Sequence, residues 1–206
     1  MKQRIIIDTH KFLTPFVVLA LMAFYQRWAN TTLWVYLALH GTYAILWLIK
    51  SQVYPDKRWE QTMPIPNSIG MFISLGLYWA APWLIASGNI EVPAWYMALC
   101  ISLFTFGVFL HYVTDMQKHV ELQLNKGHLL HTGLWGFVRN PNYLGELLIY
   151  LGFGLLAMHW LPIAVLVVMI GLIWVPNMRQ KDRSLARYPE FADYQQHTKR
   201  LLPFIY

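Results

Sequence analysis

Asp115 and Glu146 stand at the inner edges of apolar runs, and His40 and Tyr43 stand inside one, so each is a polar group in a setting that demands a partner or gives it work. Tyr36, His40, Tyr43, Trp47 and Lys50 recur at steps of four, three, four and three, which places them on one helical face. His111, Asp115 and Lys118 form a second such stripe, and Asn142, Glu146 and Tyr150 a third. Three polar stripes of this kind suit the walls of a shared cavity. Further along, Arg179, Arg183 and Arg187 follow at steps of four, with Arg139 upstream. Guanidinium groups pair bidentately with phosphate, so this face suits a polyanionic cofactor, and a lipid headgroup anchor equally.

The surroundings decide how to read these groups. Of 206 residues, 57% are hydrophobic and 13% charged, against about 25% charged in an ordinary soluble domain. Disordered, collagenous and disulfide-built classes are excluded. The apolar residues fall in runs at 12–26, 32–49, 68–87, 93–114, 143–159 and 161–176. Each approaches the roughly 20 residues that cross a bilayer core. We therefore expect an all-α polytopic membrane protein of about six transmembrane helices with both termini cytoplasmic. Residues 1–206 are expected to form a single integral membrane domain whose C-terminal half, about 111–206, binds the cofactor. The basic residues support the count independently, because Lys and Arg gather in cytoplasmic segments. Of the 16 Lys and Arg residues, only Arg27 falls on the outer side. The first run, preceded by Lys2, Arg4 and Lys11, lacks a small-residue cleavage site and is read as a retained span. His159 and Trp160 leave room only for a tight hairpin between the last two spans, and residues 188–198 suit a short amphipathic helix.

An ionisable group at the centre of a membrane helix costs about 2.5–3.5 kcal/mol, less near the interface, so Asp115 and Glu146 need partners or water. His10, His119, His128, His131, His159 and His197 are expected at interfaces. Cys100, the sole cysteine, reads as a small core residue. No HExxH, paired CxxC or GxSxG occurs, so no metal site is expected. The net charge of +6 is what lipid-facing topology requires and does not suggest nucleic acid. The glycines at 127, 133, 136 and 145 do not form a GxGxxG fingerprint.

The segments Thr114-Asp-Met-Gln-Lys118, Gly133-Leu-Trp-Gly-Phe-Val-Arg-Asn-Pro-Asn-Tyr-Leu-Gly-Glu146, Phe191-Ala-Asp-Tyr194 and Lys199-Arg-Leu-Leu-Pro-Phe-Ile-Tyr206 together resemble the membrane-bound steroid 5-alpha-reductase and sterol reductase superfamily, closest to its DUF1295-like branch. The resemblance implies a helical fold that holds NADPH and delivers hydride to an activated carbon–carbon double bond of a steroid-like or other apolar enone. By that likeness and the arginine face, the cofactor side comprises Asp115, Lys118, Arg139, Asn142, Tyr143, Glu146, Arg179, Arg183, Arg187 and Tyr194. On the substrate side Tyr43 supplies the phenol that donates to the carbonyl oxygen, with His40 or Glu60 as its partner. The same superfamily shape includes isoprenylcysteine carboxyl and phospholipid methyltransferases, so an S-adenosylmethionine-dependent methyltransferase is the alternative, and a non-catalytic lipid-binding relative a third. Membrane lipids are the expected surroundings.

The topology has a direct test. A cysteine at Asn89→Cys should react with an impermeant maleimide added from outside the cell. Labelling from the cytoplasmic side alone would contradict it.

Overall fold

The computed structural model describes residues 1–206, and every regular element is helical. The elements are α1 (Gln3–Phe24), α2 (Thr31–Val53), α3 (Ile65–Gly76), α4 (Ala80–Gly88), α5 (Ala94–Leu124), α6 (Pro141–Gly154), α7 (Trp160–Met169), α8 (Val175–Leu185) and α9 (Phe191–His197). A 3-10 turn joins α3 to α4, and a π-helical turn at Ile170–Trp174 joins α7 to α8. Five segments are long and apolar enough to cross a membrane: Gln3–Phe24, Thr31–Val53, Ile65–Gly88, Ala94–Leu124 and Trp160–Leu185. The protein is an integral, multi-pass membrane protein. The run expected to span at 143–159 is shorter, a 14-residue α6 extended by a three-residue 3-10 turn at Leu155–Ala157.

Hydropathy misplaces several helix ends for one reason. A hydropathy pattern marks only the apolar part of a helix, whereas the backbone ladder carries the helix on into polar ends that lie outside the lipid. The first helix begins at Gln3 rather than at residue 12, with His10 and Lys11 on its buried face beside Ile6, Ile7, Thr14 and Val18. Likewise α5 runs on to Leu124, and the helix expected to stop at 176 continues to Leu185.

The chain packs as two compact units, Met1–Ser102 with Leu151–Val165, and Leu103–Tyr150 with Leu166–Tyr206. In the first unit a loop clasp orders α1, α2 and α4. Asn30 caps α2 by accepting from the Leu33 N–H at 2.8 Å, while its amide donates to Asn89 Oδ1 at 3.2 Å and to the Ile90 carbonyl at 3.1 Å. Glu91 accepts from the Thr31 N–H at 2.9 Å, which places a carboxylate at the positive end of α2. Within α1, Pro15 has no N–H for the Lys11 carbonyl one turn back, and the Thr14 hydroxyl donates to the His10 carbonyl at 2.8 Å.

In the second unit, α5 and α6 touch backbone to backbone. A Cβ on Gly145 would lie 2.4 Å from the His111 nitrogen, and one on Gly107 would lie 2.6 Å from the Ile149 nitrogen. The π turn before Pro176 widens the helix where the proline ring would otherwise crowd the carbonyl four residues back. It also directs Trp174 onto Tyr143 and Tyr150, at ring distances of 5.3 and 6.2 Å.

Candidate functional site

The glycine contact sets His111 against the start of α6. Its Nδ1 lies 3.1 Å from the Asn142 carbonyl, which can only accept, so Nδ1 carries a proton. The other ring nitrogen faces Asp115 Oδ2 at 3.7 Å. His111 is 4% and Asp115 11% exposed, so this pair is shielded from water. One residue on, Tyr143 accepts from the Asn177 amide at 3.5 Å. The side-chain oxygen of Asn142 is buried with no hydrogen-bond partner. A buried amide oxygen of this kind costs about 1–3 kcal/mol while it stays unsatisfied.

Beside this pair lies a network around Asp182. Arg139 donates to its carboxylate through Nε at 3.2 Å and Nη2 at 3.3 Å, and Arg200 Nε donates to Oδ2 at 2.9 Å. The remaining amine of Arg139 reaches the carbonyls of Gln195 and Thr198. Lys181 donates to the Arg139 carbonyl at 2.6 Å and to Asn140 Oδ1 at 3.0 Å, its ammonium 4.2 Å from the Trp135 ring centre. Asp115 and Lys118 are near enough to act on that ammonium electrostatically. Buried at 5% exposure, Arg139 thus ties the tail to α8, and four of its five N–H groups are already engaged.

The tail closes on the same network. Tyr194 donates to the Trp135 carbonyl at 2.6 Å, and burial pushes its phenol well above the usual range, so it stays a donor. Burial alone would lower the guanidinium of Arg200, but hydrogen bonds to Asp182 and Tyr206 more than reverse this. Leu129 and Phe191 pack around Tyr194. Arg179, Arg183 and Arg187 are all exposed. α8 ends at Leu185, so Arg187 leaves the shared helical face and stacks on Tyr188 instead.

In the N-terminal unit the aromatic stripe of α2 is buried from end to end, with Tyr36, His40 and Tyr43 at 0% exposure. His40 Nδ1 is 2.8 Å from the Tyr36 hydroxyl, and its ring stacks on Phe153 at 4.2 Å. The ring of Tyr43 carries the Lys11 ammonium at 4.0 Å. Glu60 is engaged elsewhere, accepting from Lys2 at 2.8 Å and pairing with Arg4 at 3.1 Å. The hydrogen bond from Lys2, with help from Arg4, holds its carboxyl below the usual range although the side chain is only partly buried.

His10, expected at an interface, is instead fully buried and stacks on Trp79 at 4.9 Å. Its neighbour Lys11, by sequence one of the cations on the inner side of the membrane, is buried with its ammonium over the Tyr43 ring. The polar stripes of the sequence do not point to Asp182, Lys181, Asn140 or Trp135. For Asp182 the signal was present, an acid flanked by Lys181 and Arg183.

The family described as "Protein of unknown function (DUF1295)" matches residues 3–198. The chain belongs to this family. Among curated proteins, this DUF1295 chain is 23% identical over 164 residues to steroid 5-alpha-reductase DET2 of Solanum lycopersicum, covering 75% of the chain and 63% of the relative. It is 27% identical over 144 residues to delta(14)-sterol reductase of Arabidopsis thaliana, covering 60% and 38% respectively. The cobalt-zinc-cadmium resistance protein CzcN of Cupriavidus metallidurans is 32% identical over 111 residues, covering 53% of the chain and 51% of the relative. The DUF1295 chain therefore spans less than two thirds of each of these relatives, and it falls within the steroid reductase-like superfamily.

The Asp182 network predicts a stability effect. Removing one charge from a buried pair costs about 3–5 kcal/mol, so Asp182→Asn should lower the unfolding midpoint in detergent and expose the tail to protease. The exposed Glu190→Gln should leave both unchanged. Equal behaviour of the two variants would contradict the role given to Asp182.

Proposed function

We propose that the protein is an NADPH-dependent membrane reductase acting on a carbon–carbon double bond of an apolar enone, steroid-like or another lipid. The observation that carries this reading is the buried, unpartnered oxygen of Asn142, which lies within the run that resembles the reductases. An amide oxygen in that state suits the N–H of a nicotinamide carboxamide. The exposed guanidinium groups of Arg179, Arg183 and Arg187 suit phosphates. These residues fit a nicotinamide dinucleotide. S-adenosylmethionine carries a sulfonium and gains nothing from such a field.

When bound, NADPH supplies a hydride to the β-carbon of the enone. Asn142 orients the nicotinamide, its own carbonyl pinned by His111. Asp115, Lys118, Tyr143 and Glu146 would hold the ribose, while Arg139 and Tyr194 act by holding the tail in place. On the substrate side Tyr43 donates a hydrogen bond to the carbonyl oxygen as enolate charge develops, and the α-carbon then takes a proton from solvent. His40, fixed by Tyr36, packs beside the Tyr43 ring with ring centres 6.4 Å apart. Glu60, paired with Lys2 and Arg4, holds the N-terminus of α1.

Purified protein given NADPH deuterated at the transferred position and an enone steroid should yield a saturated ketone carrying deuterium at the β-carbon. Asn142→Ala should raise the KM for NADPH about tenfold, and Tyr43→Phe should lower kcat with little change in that KM. Methyl transfer from S-adenosylmethionine to a lipid, with no NADPH turnover, would overturn the reading.

A further inference from the structure

Residues 199–206 carry an apolar surface that neither the proposed cofactor side nor the substrate side uses. After α9 the backbone turns back on itself. The N–H groups of Ile205 and Tyr206 donate to the Leu202 carbonyl at 3.2 and 3.1 Å, and the Leu202 N–H donates to the Tyr206 carbonyl at 2.8 Å. Two neighbours brace this turn: Leu201 is buried at its stem, and Arg200 donates to the Tyr206 hydroxyl at 2.9 Å with its guanidinium 5.1 Å from that ring centre. Within the turn Phe204 has a φ of +67°, a left-handed conformation that bulky side chains rarely adopt. Its ring is 94% exposed, and Ile205 beside it is 78% exposed. Large apolar side chains held out together on a braced, strained turn point to an interaction surface.

The depth of this turn in the membrane selects the partner. Residues 94–114 of α5 contain no Asp, Glu, Lys or Arg. At 1.5 Å per residue they extend about 30 Å, the thickness of a hydrocarbon core. Thr114 therefore marks one edge of that core, with Asp115 and Lys118 just past it. The last span marks the same edge, since residues 160–178 are uncharged and Arg179 follows. Asp115 acts electrostatically on Lys181, which sets the two helix ends side by side.

The tail is bonded to this edge from both helices. Trp135 donates through its indole to the Thr114 carbonyl at 3.3 Å, and its own carbonyl accepts from the Tyr194 hydroxyl at 2.6 Å. Asp182, one turn past Arg179, accepts from Arg200 Nε at 2.9 Å, and the Asn140 amide donates to the Arg200 carbonyl at 2.9 Å. Arg200 is thus held within about one helical turn of the hydrocarbon edge, so the turn that follows it lies at the depth of lipid headgroups. A second apolar group joins it there. Phe137 is 72% exposed, and its neighbour Val138 pairs with Lys199 in a short parallel bridge. Lys199 is itself exposed. Apolar rings beside a surface lysine suit the boundary between anionic headgroups and acyl chains.

We infer that Phe137, Phe204 and Ile205 form an interfacial anchor, inserted into the headgroup and upper acyl region of the leaflet beside the tail. The partner is the lipid surface itself. None of the three residues belongs to the proposed cofactor or substrate side, so the inference stands apart from the reductase reading.

The test uses the full-length protein in nanodiscs of phosphatidylcholine and phosphatidylglycerol. The buried Cys100 is replaced by alanine, and a nitroxide is attached at Phe137→Cys, Phe204→Cys or Ile205→Cys in turn. Phe106→Cys, on an exposed position of α5, gives the hydrocarbon reference, and Lys126→Cys, in the exposed loop after α5, gives the water reference. Power-saturation electron paramagnetic resonance then compares collisions with oxygen, which partitions into lipid, and with a nickel chelate, which stays in water. All three labels should show an oxygen-to-nickel ratio several-fold above that of Lys126→Cys and below that of Phe106→Cys. Ratios equal to that of Lys126→Cys would overturn the inference and leave the surface to a soluble partner. The wild-type side chain gives a second reading. The methyl resonance of Ile205, identified by its loss in Ile205→Val, should be broadened by lipid bearing a nitroxide near the top of its acyl chain and spared by a soluble gadolinium chelate. Broadening by the chelate alone would overturn the inference with the native turn intact.

Discussion

The contact between Gly107 on α5 and Gly145 on α6 is the constraint on which the rest of the C-terminal unit depends. Helices in lipid gain little from excluding apolar surface and must approach closely to gain packing energy, which small residues allow. Here the approach is so close that a Cβ at either glycine would strike the other helix's backbone. This fixes the register between the two helices. His111 lies one turn beyond Gly107 and Asn142 one turn before Gly145, so the register sets the bond between the His111 ring and the Asn142 carbonyl. The unpartnered amide oxygen is held in place by the same contact.

A second constraint, the Asp182 carboxylate, brings the tail to this pair of helices. Two guanidinium groups converge on it, and Arg139 also gathers carbonyls from the end of α9. The backbone of residue 139 accepts the tail directly as well, through its N–H to the Lys199 carbonyl at 2.8 Å. Buried ion pairs of this kind are poor sources of net stability, but losing one partner leaves an uncompensated buried charge, so the pairing resists being broken. Their effect here is to hold exposed arginines on a fixed helix next to a buried polar site, a division of labour that suits an anionic cofactor with a less polar reactive end.

Much of this was legible in the residues. The polar stripes follow from helical spacing alone, and the stripe of α2 is buried as one face. The family likeness rested on runs whose order survives in the structure. Helix ends were less legible, because hydropathy reports side chains whereas helix length follows backbone hydrogen bonding. The inward turn of His10 and Lys11 was hidden for a related reason. A lysine near the start of a first span reads as a topology signal, and only the packing of Tyr43 and Trp47 over its ammonium shows otherwise. Arg139 illustrates the converse limit, since its residue type suits phosphate and carboxylate alike, and the partner that engages it, Asp182, lies 43 positions away.

The central claim is that the unit built around the α5–α6 crossing holds a nicotinamide dinucleotide through Asn142. It is tested most directly by equilibrium titration of the nanodisc-embedded protein with NADPH, followed by nicotinamide fluorescence, beside a calorimetric titration with S-adenosylmethionine. The account predicts saturable binding of one NADPH per chain, weakened about tenfold in Asn142→Ala, and no heat of binding for S-adenosylmethionine. Saturable S-adenosylmethionine binding without NADPH binding, or NADPH affinity untouched by Asn142→Ala, would contradict it.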